Sequence, residues 1–380
     1  MALFCRYFFT FLACVLVAQH GTAQSGFGRW VGKKIDYYFN DTTAAADKSL
    51  KTYPTFGYSP ETGLELGAST LWLFYAKKDT NNRLSELQAF TFFTLKAQYG
   101  LWLDNALYSD KDTWFFLGKT RVQRFPLLYY GIGPATTDRN AATVDAYSIL
   151  FRQRVLHKII PNLFVGPEVD FQKLFGVNFN QPEHHSFSMP LGSEGATTLG
   201  TGGALVYDNR HNVLNVRSGF FAELGVLYYN PSLLSDYRFR SINTDIRSFH
   251  RLSKKNVLAW QVLGNFLSGD VPFNQLALLG GETMMRGYYL GRYRDKNLLA
   301  AQAELRMLPL PFSKRVGATL FAGVGAVSPG IAAFRSDQAL FSGGAGLRYL
   351  LFPKKDIFIR MDVGFTREGP GFYFFTGEAF

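Results

Sequence analysis

Asp356-Ile357-Phe358-Ile359-Arg360-Met361-Asp362-Val363-Gly364-Phe365 alternates almost residue by residue. Ile357, Ile359, Met361, Val363 and Phe365 fall on one face, while Asp356, Arg360, Asp362 and Gly364 share the other with Phe358. Side chains of a strand point alternately to its two faces, so this segment is a strand with one apolar side and one charged side. Such a strand fits a wall with lipid outside and a water-filled lumen inside. Ile242, Thr244 and Ile246 oppose Asn243, Asp245 and Arg247 in the same way. A half-exposed strand of a soluble antiparallel sheet has the same period, so the rest of the chain must decide.

Working outward, strand-like runs occupy residues 62–76, 84–95, 97–109, 112–125, 142–157, 161–176, 200–209, 217–230, 237–251, 256–268, 297–308, 316–328, 338–350, 355–367 and 371–380. Their length of about 9 to 15 residues suits tilted membrane strands better than the five or six residues usual in soluble sheets. Turn-forming clusters such as Lys78-Asp79-Thr80-Asn81-Asn82 and Ser109-Asp110-Lys111-Asp112 separate them. No run reads as a helix longer than a turn or two. The fold class is therefore all-β, a transmembrane antiparallel β-barrel spanning residues 55–380. Single-chain bacterial barrels have even strand numbers, so sixteen strands are expected. The missing one is placed at residues 176–199, where Asn178-Phe179-Asn180 and Ser186-Phe187-Ser188-Met189 alternate weakly.

Composition agrees with this reading. The 380 residues include 37 Phe, 20 Tyr and 37 Gly, an aromatic- and glycine-rich mixture that suits two-faced strands. The formal charge of +11 is spread out, and no four Lys or Arg are consecutive, which argues against nucleic acid as a partner. Arg6, the apolar run Tyr7 to Ala18 and the small residues Gly21-Thr22-Ala23 form a secretory signal peptide over residues 1–23. Its apolar core is shorter than the roughly 20 residues of a spanning helix. Cys5 and Cys14, the only cysteines, lie within it, so the exported chain has no thiol or disulfide. Residues 24–54 read as a short periplasmic extension, too small to bury a core.

Three segments, in order, resemble the BamA/TamA superfamily of outer-membrane assembly and secretion barrels, also called the bacterial surface antigen family. Tyr207-Asp208-Asn209-Arg210 through Arg217-Ser218-Gly219 is similar to a family hairpin motif carried here by Asp208, Arg210 and Gly219, with Val216 at the usual proline. Gly280-Gly281 through Arg286-Gly287-Tyr288 resembles the signature of the family's long sixth external loop. The ending, Gly377-Glu378-Ala379-Phe380, resembles a C-terminal sorting signal carried by Gly377 and Phe380. The resemblance implies that the loop folds into the lumen, where Arg286 meets an acidic residue on the following strand, matched here by Glu304. Gly323 stands where the family has a second acid, so Arg286 is expected to pair with Glu304 alone or to recruit another carboxylate such as Asp362. Arg292, Arg294 and Asp295 are expected to help order the loop.

The resemblance further implies a location in the outer membrane of a Gram-negative-type bacterium. It also implies a part in outer-membrane protein assembly, insertion or translocation through a lateral seam between Gly63–Ala76 and Phe372–Phe380. Its implied partners are outer-membrane lipids, nascent outer-membrane proteins and periplasmic or outer-membrane accessory proteins. The alternatives are a closed structural or pore-forming barrel within a larger complex, or a translocator for one dedicated partner. The short extension leaves no room for the periplasmic POTRA domains of assembly factors. No enzyme signature appears: there is no Gly-x-Ser-x-Gly, no phosphate-binding Gly-x-x-x-x-Gly-Lys and no His-Glu-x-x-His. No cofactor is expected. Glu183-His184-His185 reads as loop, and no metal is expected, because adjacent strand histidines point to opposite faces.

Overall fold

The computed structural model describes residues 49–137, 141–181, 188–210, 215–352 and 357–380. Residues 1–23, read above as a signal peptide, and most of the segment read as an N-terminal extension lie outside these residues, as does Glu183-His184-His185.

The strands are β1 (Ser49–Ser59), β2 (Gly63–Tyr75), β3 (Leu84–Thr94), β4 (Tyr99–Tyr108), β5 (Trp114–Arg124), β6 (Leu127–Tyr129), β7 (Ala142–Ile160), β8 (Leu163–Asn180), β9 (Ala196–Asp208), β10 (Gly219–Tyr229), β11 (Phe239–Arg251), β12 (Asn256–Gly269), β13 (Ala277–Leu279), β14 (Tyr293–Asp295), β15 (Asn297–Met307), β16 (Val316–Ser328), β17 (Leu340–Phe352), β18 (Ile357–Thr366) and β19 (Gly369–Thr376). β13 and β14 form a small hairpin of their own, and the other seventeen make one sheet. β5 and β6 both pair with β7 on either side of Pro126, so they fill one position. The result is a sixteen-position antiparallel barrel that closes where β1 meets β19.

All fifteen runs read from sequence fall on barrel strands. The sixteenth does not lie at residues 176–199: Gly176–Asn180 ends β8 and Ala196 begins β9. It is β1, which begins at Ser49, so the barrel starts before residue 55 and takes in residues assigned above to the extension. The expected seam strand Gly63–Ala76 is accordingly the second strand, and β1 holds the seam. Pro54 explains the misreading, since proline interrupts a strand pattern and is tolerated in a sheet mainly on edge strands.

Alternation places aliphatic side chains such as Leu101, Val122, Leu224, Leu320 and Leu347 outward and exposed. Charged side chains including Arg154, Glu168, Asp170, Glu304, Arg348 and Asp362 are buried inside. With an even strand number, β1 starts and β19 ends at the same rim, here the terminal rim. The connection between β12 and β15 leaves from the opposite loop rim and turns inward. There Phe273, Leu279, Met284, Met285, Tyr288 and Tyr293 pack against inward residues such as Tyr129, Leu227, Tyr229, Phe239 and Val327. This is an apolar core built inside a barrel, and it plugs the loop-rim side. A cavity of about 780 Å³ remains between Glu282 and Thr283 of the loop, the inner faces of β1–β4 and the C-terminal residues.

Candidate functional site

The inward loop is shaped by its glycines. Gly287 has φ of +111°, and a Cβ there would lie 2.5 Å from Thr366 Cγ2. Opposite it, a Cβ on Gly364 of β18 would lie 2.4 Å from the Arg286 carbonyl oxygen. The two backbones therefore touch, which only glycine allows on both sides. The Gly287 N–H donates to the Tyr373 hydroxyl at 2.9 Å, and that hydroxyl donates to the Tyr288 carbonyl at 3.4 Å. Loop and β19 are thus joined directly.

This contact sets Arg286 deep in the wall. Glu304 lies seven residues along β15 from Asn297 at the loop rim, about 23 Å along the strand at the usual rise. Arg286 Nη2 pairs with Glu304 Oε1, and Nη1 pairs with Asp362 Oδ2 at 2.6 Å. All three side chains are shut off from solvent. The guanidinium carbon sits 3.6 Å from the centre of the Phe321 ring, a cation–π contact that seats its flat face. The chain thus brings both carboxylates to one arginine. Gly323 lends no acid, and the Asp362 carboxylate of β18 occupies the other side of the guanidinium.

Sequence reasoning missed the remainder of the cluster. Arg306 Nε meets Glu304 Oε2 at 2.8 Å, Arg348 Nη1 meets Asp362 Oδ1 at 2.5 Å, and Arg360 Nη1 meets Asp362 Oδ2 at 3.2 Å. Arg348 Nε continues to Glu378 at 2.9 Å, and Arg306 Nη2 donates to the Phe380 carbonyl oxygen at 3.0 Å. Arg360 also donates to the Glu282 carbonyl oxygen at 2.9 Å and faces its carboxylate at 3.7 Å. Four arginines therefore face Glu304, Asp362 and Glu378 inside the lumen, with the partly exposed Glu282 at the edge of the cluster. Arg306 and Arg360 each lie two residues from their acid on the same strand, and Arg348 faces Asp362 from the neighbouring strand. The period-2 charged face was the available signal.

The other predicted residues take different places. Tyr288 is buried in the apolar plug, with its ring 5.8 Å from that of Tyr293. Arg210 grips Asp208 with Nε and Nη2, both at 2.9 Å, and stacks 4.4 Å over Phe221. Gly219, with φ of +125°, closes this turn at the terminal rim, where a Cβ would come within 2.8 Å of Arg210 Cα. Residues 211–214 of that motif lie outside the described residues. Gly377 donates its N–H to the Phe358 carbonyl at 2.7 Å. Phe380 turns inward against Val216, Phe249 and Val257 instead of facing lipid.

The loop is tied at a second level as well. Arg292 donates Nε to Glu368 at 2.8 Å and Nη1 to the Thr136 hydroxyl at 3.0 Å. Arg294 reaches the Leu128 carbonyl at 3.2 Å, while its own carbonyl accepts the Gly133 N–H at 2.8 Å. Asp295 lies in β14 and caps the following Lys296 N–H at 2.7 Å. Glu61, in the β1–β2 turn, accepts the Leu290 N–H at 2.7 Å. Burial pushes its carboxyl above the usual range, and hydrogen bonds from Ser59 and Leu290 offset only part of that rise. Among the described residues, no group of His, Cys, Asp or Glu side chains is placed to hold a metal ion.

β1 and β19 share one registered pair, Tyr58↔Phe374, whereas β1 and β2 share eleven. β19 ends at Thr376, and Gly377–Phe380 then leaves the wall for the lumen.

Closed antiparallel wall, apolar exterior, charged interior and an inward loop pinned by a buried arginine together define a membrane-spanning barrel with an internal plug. The chain belongs to the Omp85 superfamily, whose domain profile matches residues 133–380, and members of this family are outer-membrane proteins. Among solved structures, it is similar to BamA from Haemophilus ducreyi lacking POTRA domains 1–3. That match has 13% identity and a TM-score of 0.55, covering 87% of this chain and 70% of that one. CdiB from Acinetobacter baumannii matches at 10% identity with a TM-score of 0.55, over 87% of this chain and 59% of the other. CdiB from Escherichia coli matches at 10% identity with the same TM-score, over 86% and 62%. A search of curated proteins gives no significant match.

Proposed function

We propose that this barrel inserts or translocates other proteins at the outer membrane, using the β1–β19 junction as a lateral seam. The observation that carries the reading is the single registered pair across that junction, against eleven on the other side of β1. A strand edge in lipid needs a partner for its backbone groups. A short seam lowers the cost of parting the wall, and the parted edges offer templates for an incoming strand. Nascent outer-membrane proteins and accessory proteins are the partners this mechanism requires.

The test is a reversible lock. Tyr58→Cys with Phe374→Cys places thiols on the registered pair, in a chain whose own cysteines are Cys5 and Cys14, far from the barrel strands in sequence. Oxidation should abolish insertion of client barrels in a membrane assay, and reduction should restore it. Full activity in the oxidised state would reject a lateral seam and favour a closed structural barrel within a larger complex.

A further inference from the structure

The two hairpins that flank the seam, β1–β2 and β18–β19, end at the loop rim in turns carrying Glu61 and Glu368. Both carboxylates point to the same four residues of the inward loop. Glu61 Oε1 accepts the Leu290 N–H at 2.7 Å from one side. From the other, Glu368 accepts Arg292 Nε at 2.8 Å and the Tyr293 hydroxyl at 2.5 Å, and Arg367 Nη2 donates to that same hydroxyl at 2.7 Å. Glu61 is buried although it sits in a turn, a costly position for a carboxylate unless its hydrogen bonds hold something in place. Backbone bonds stiffen the segment between the two grips: Gly291 N–H to Leu279 O at 3.1 Å and Arg292 N–H to Tyr289 O at 2.9 Å.

We propose that Glu61 and Glu368 are positioning residues that make Leu290–Tyr293 a staple across the loop-rim end of the seam. The inference rests on the seam reading above and adds a second tie across it. The one registered pair, Tyr58↔Phe374, joins the loop-rim end of β1 to a point five residues down β19 from Gly369 and two short of its end, and the tail Gly377–Phe380 leaves the wall just beyond it. The staple therefore bridges the stretch of the seam between that pair and the loop rim, which stays shut until the loop lets go.

The experiment uses the full chain in membranes, with Tyr58→Cys and Phe374→Cys as a proximity reporter and no client present. Adding Glu61→Gln and Glu368→Gln together should slow oxidative cross-linking about tenfold, the weight of one charge-assisted hydrogen bond, while the barrel stays heat-modifiable. Cross-linking at the parental rate in a heat-modifiable barrel overturns the staple. If the double variant does not fold, Glu368→Asp replaces it, keeping the charge but withdrawing it by one methylene. The same slowing is expected there, and a parental rate again overturns the proposal. Because this readout needs no client, it separates the two claims: a barrel that inserts nothing can still be stapled, and an inserting barrel can prove unstapled.

Discussion

Arg286 is the loop's anchor, yet the carboxylates it touches do not depend on it alone. Glu304 also meets Arg306, and Asp362 also meets Arg348 and Arg360. Arg286→Ala therefore leaves each acid with at least one arginine and mainly loosens the loop. It should lower the heat-modifiable folded fraction and expose residues 280–292 to protease. Asp362→Asn acts differently, because three guanidiniums would then face an amide in a solvent-free cluster. Removing one side of a buried ion pair costs about 3–5 kcal/mol, so the urea midpoint of Asp362→Asn should fall below that of Arg286→Ala. The reverse order would show that the loop contact, and not charge balance, dominates.

Among the elements, β18 does two jobs, and both were partly legible. Its alternation identified a lumen wall, and it put Asp362 within the set of acids considered for Arg286. The sequence could not show that Gly364 on that strand meets Gly287 of the loop, because backbone contact between distant segments leaves no local pattern. Gly364→Val should undock the loop without removing a charge, since the first new atom would lie 2.4 Å from the Arg286 carbonyl. Protease sensitivity of the loop should rise as in Arg286→Ala, and an unchanged digestion pattern would mean that the two backbones can separate at little cost. β1 shows the opposite limit of legibility. Pro54 and the aromatic residues on both of its faces, inward Tyr53 and outward Phe56, hide the period that marked the other fifteen strands. A seam strand has one neighbour held by a full ladder and one held weakly, so selection for clean pairing is relaxed where a pattern reader needs it most. Glu61 and Glu368 were illegible for another reason, since a carboxylate in a turn ordinarily marks a solvated surface.

For the whole molecule, the decisive fact is that the lumen is divided along its axis. Toward the loop rim, the plug formed by Phe273, Leu279, Met285, Tyr288 and Tyr293 is packed like a protein interior. Beyond it a charged cavity of about 780 Å³ reaches the inner face of the seam and the C-terminal tail. An open sixteen-stranded barrel would leave an aqueous channel, so closure here depends on the loop and not on the wall. Two levels hold it: the buried arginine cluster and the grips at Glu61, Glu368 and Thr136. Because these use different residues, breaking one level should leave the plug seated most of the time. In planar bilayers the full chain should conduct weakly. Arg286→Ala should add brief openings, and deletion of residues 281–291 should produce a steady conductance several-fold higher, as expected when a wide barrel loses its plug. If the deletion conducts no better than the full chain, something other than this loop closes the lumen, and the arginine cluster serves to brace β15, β17 and β18 against one another.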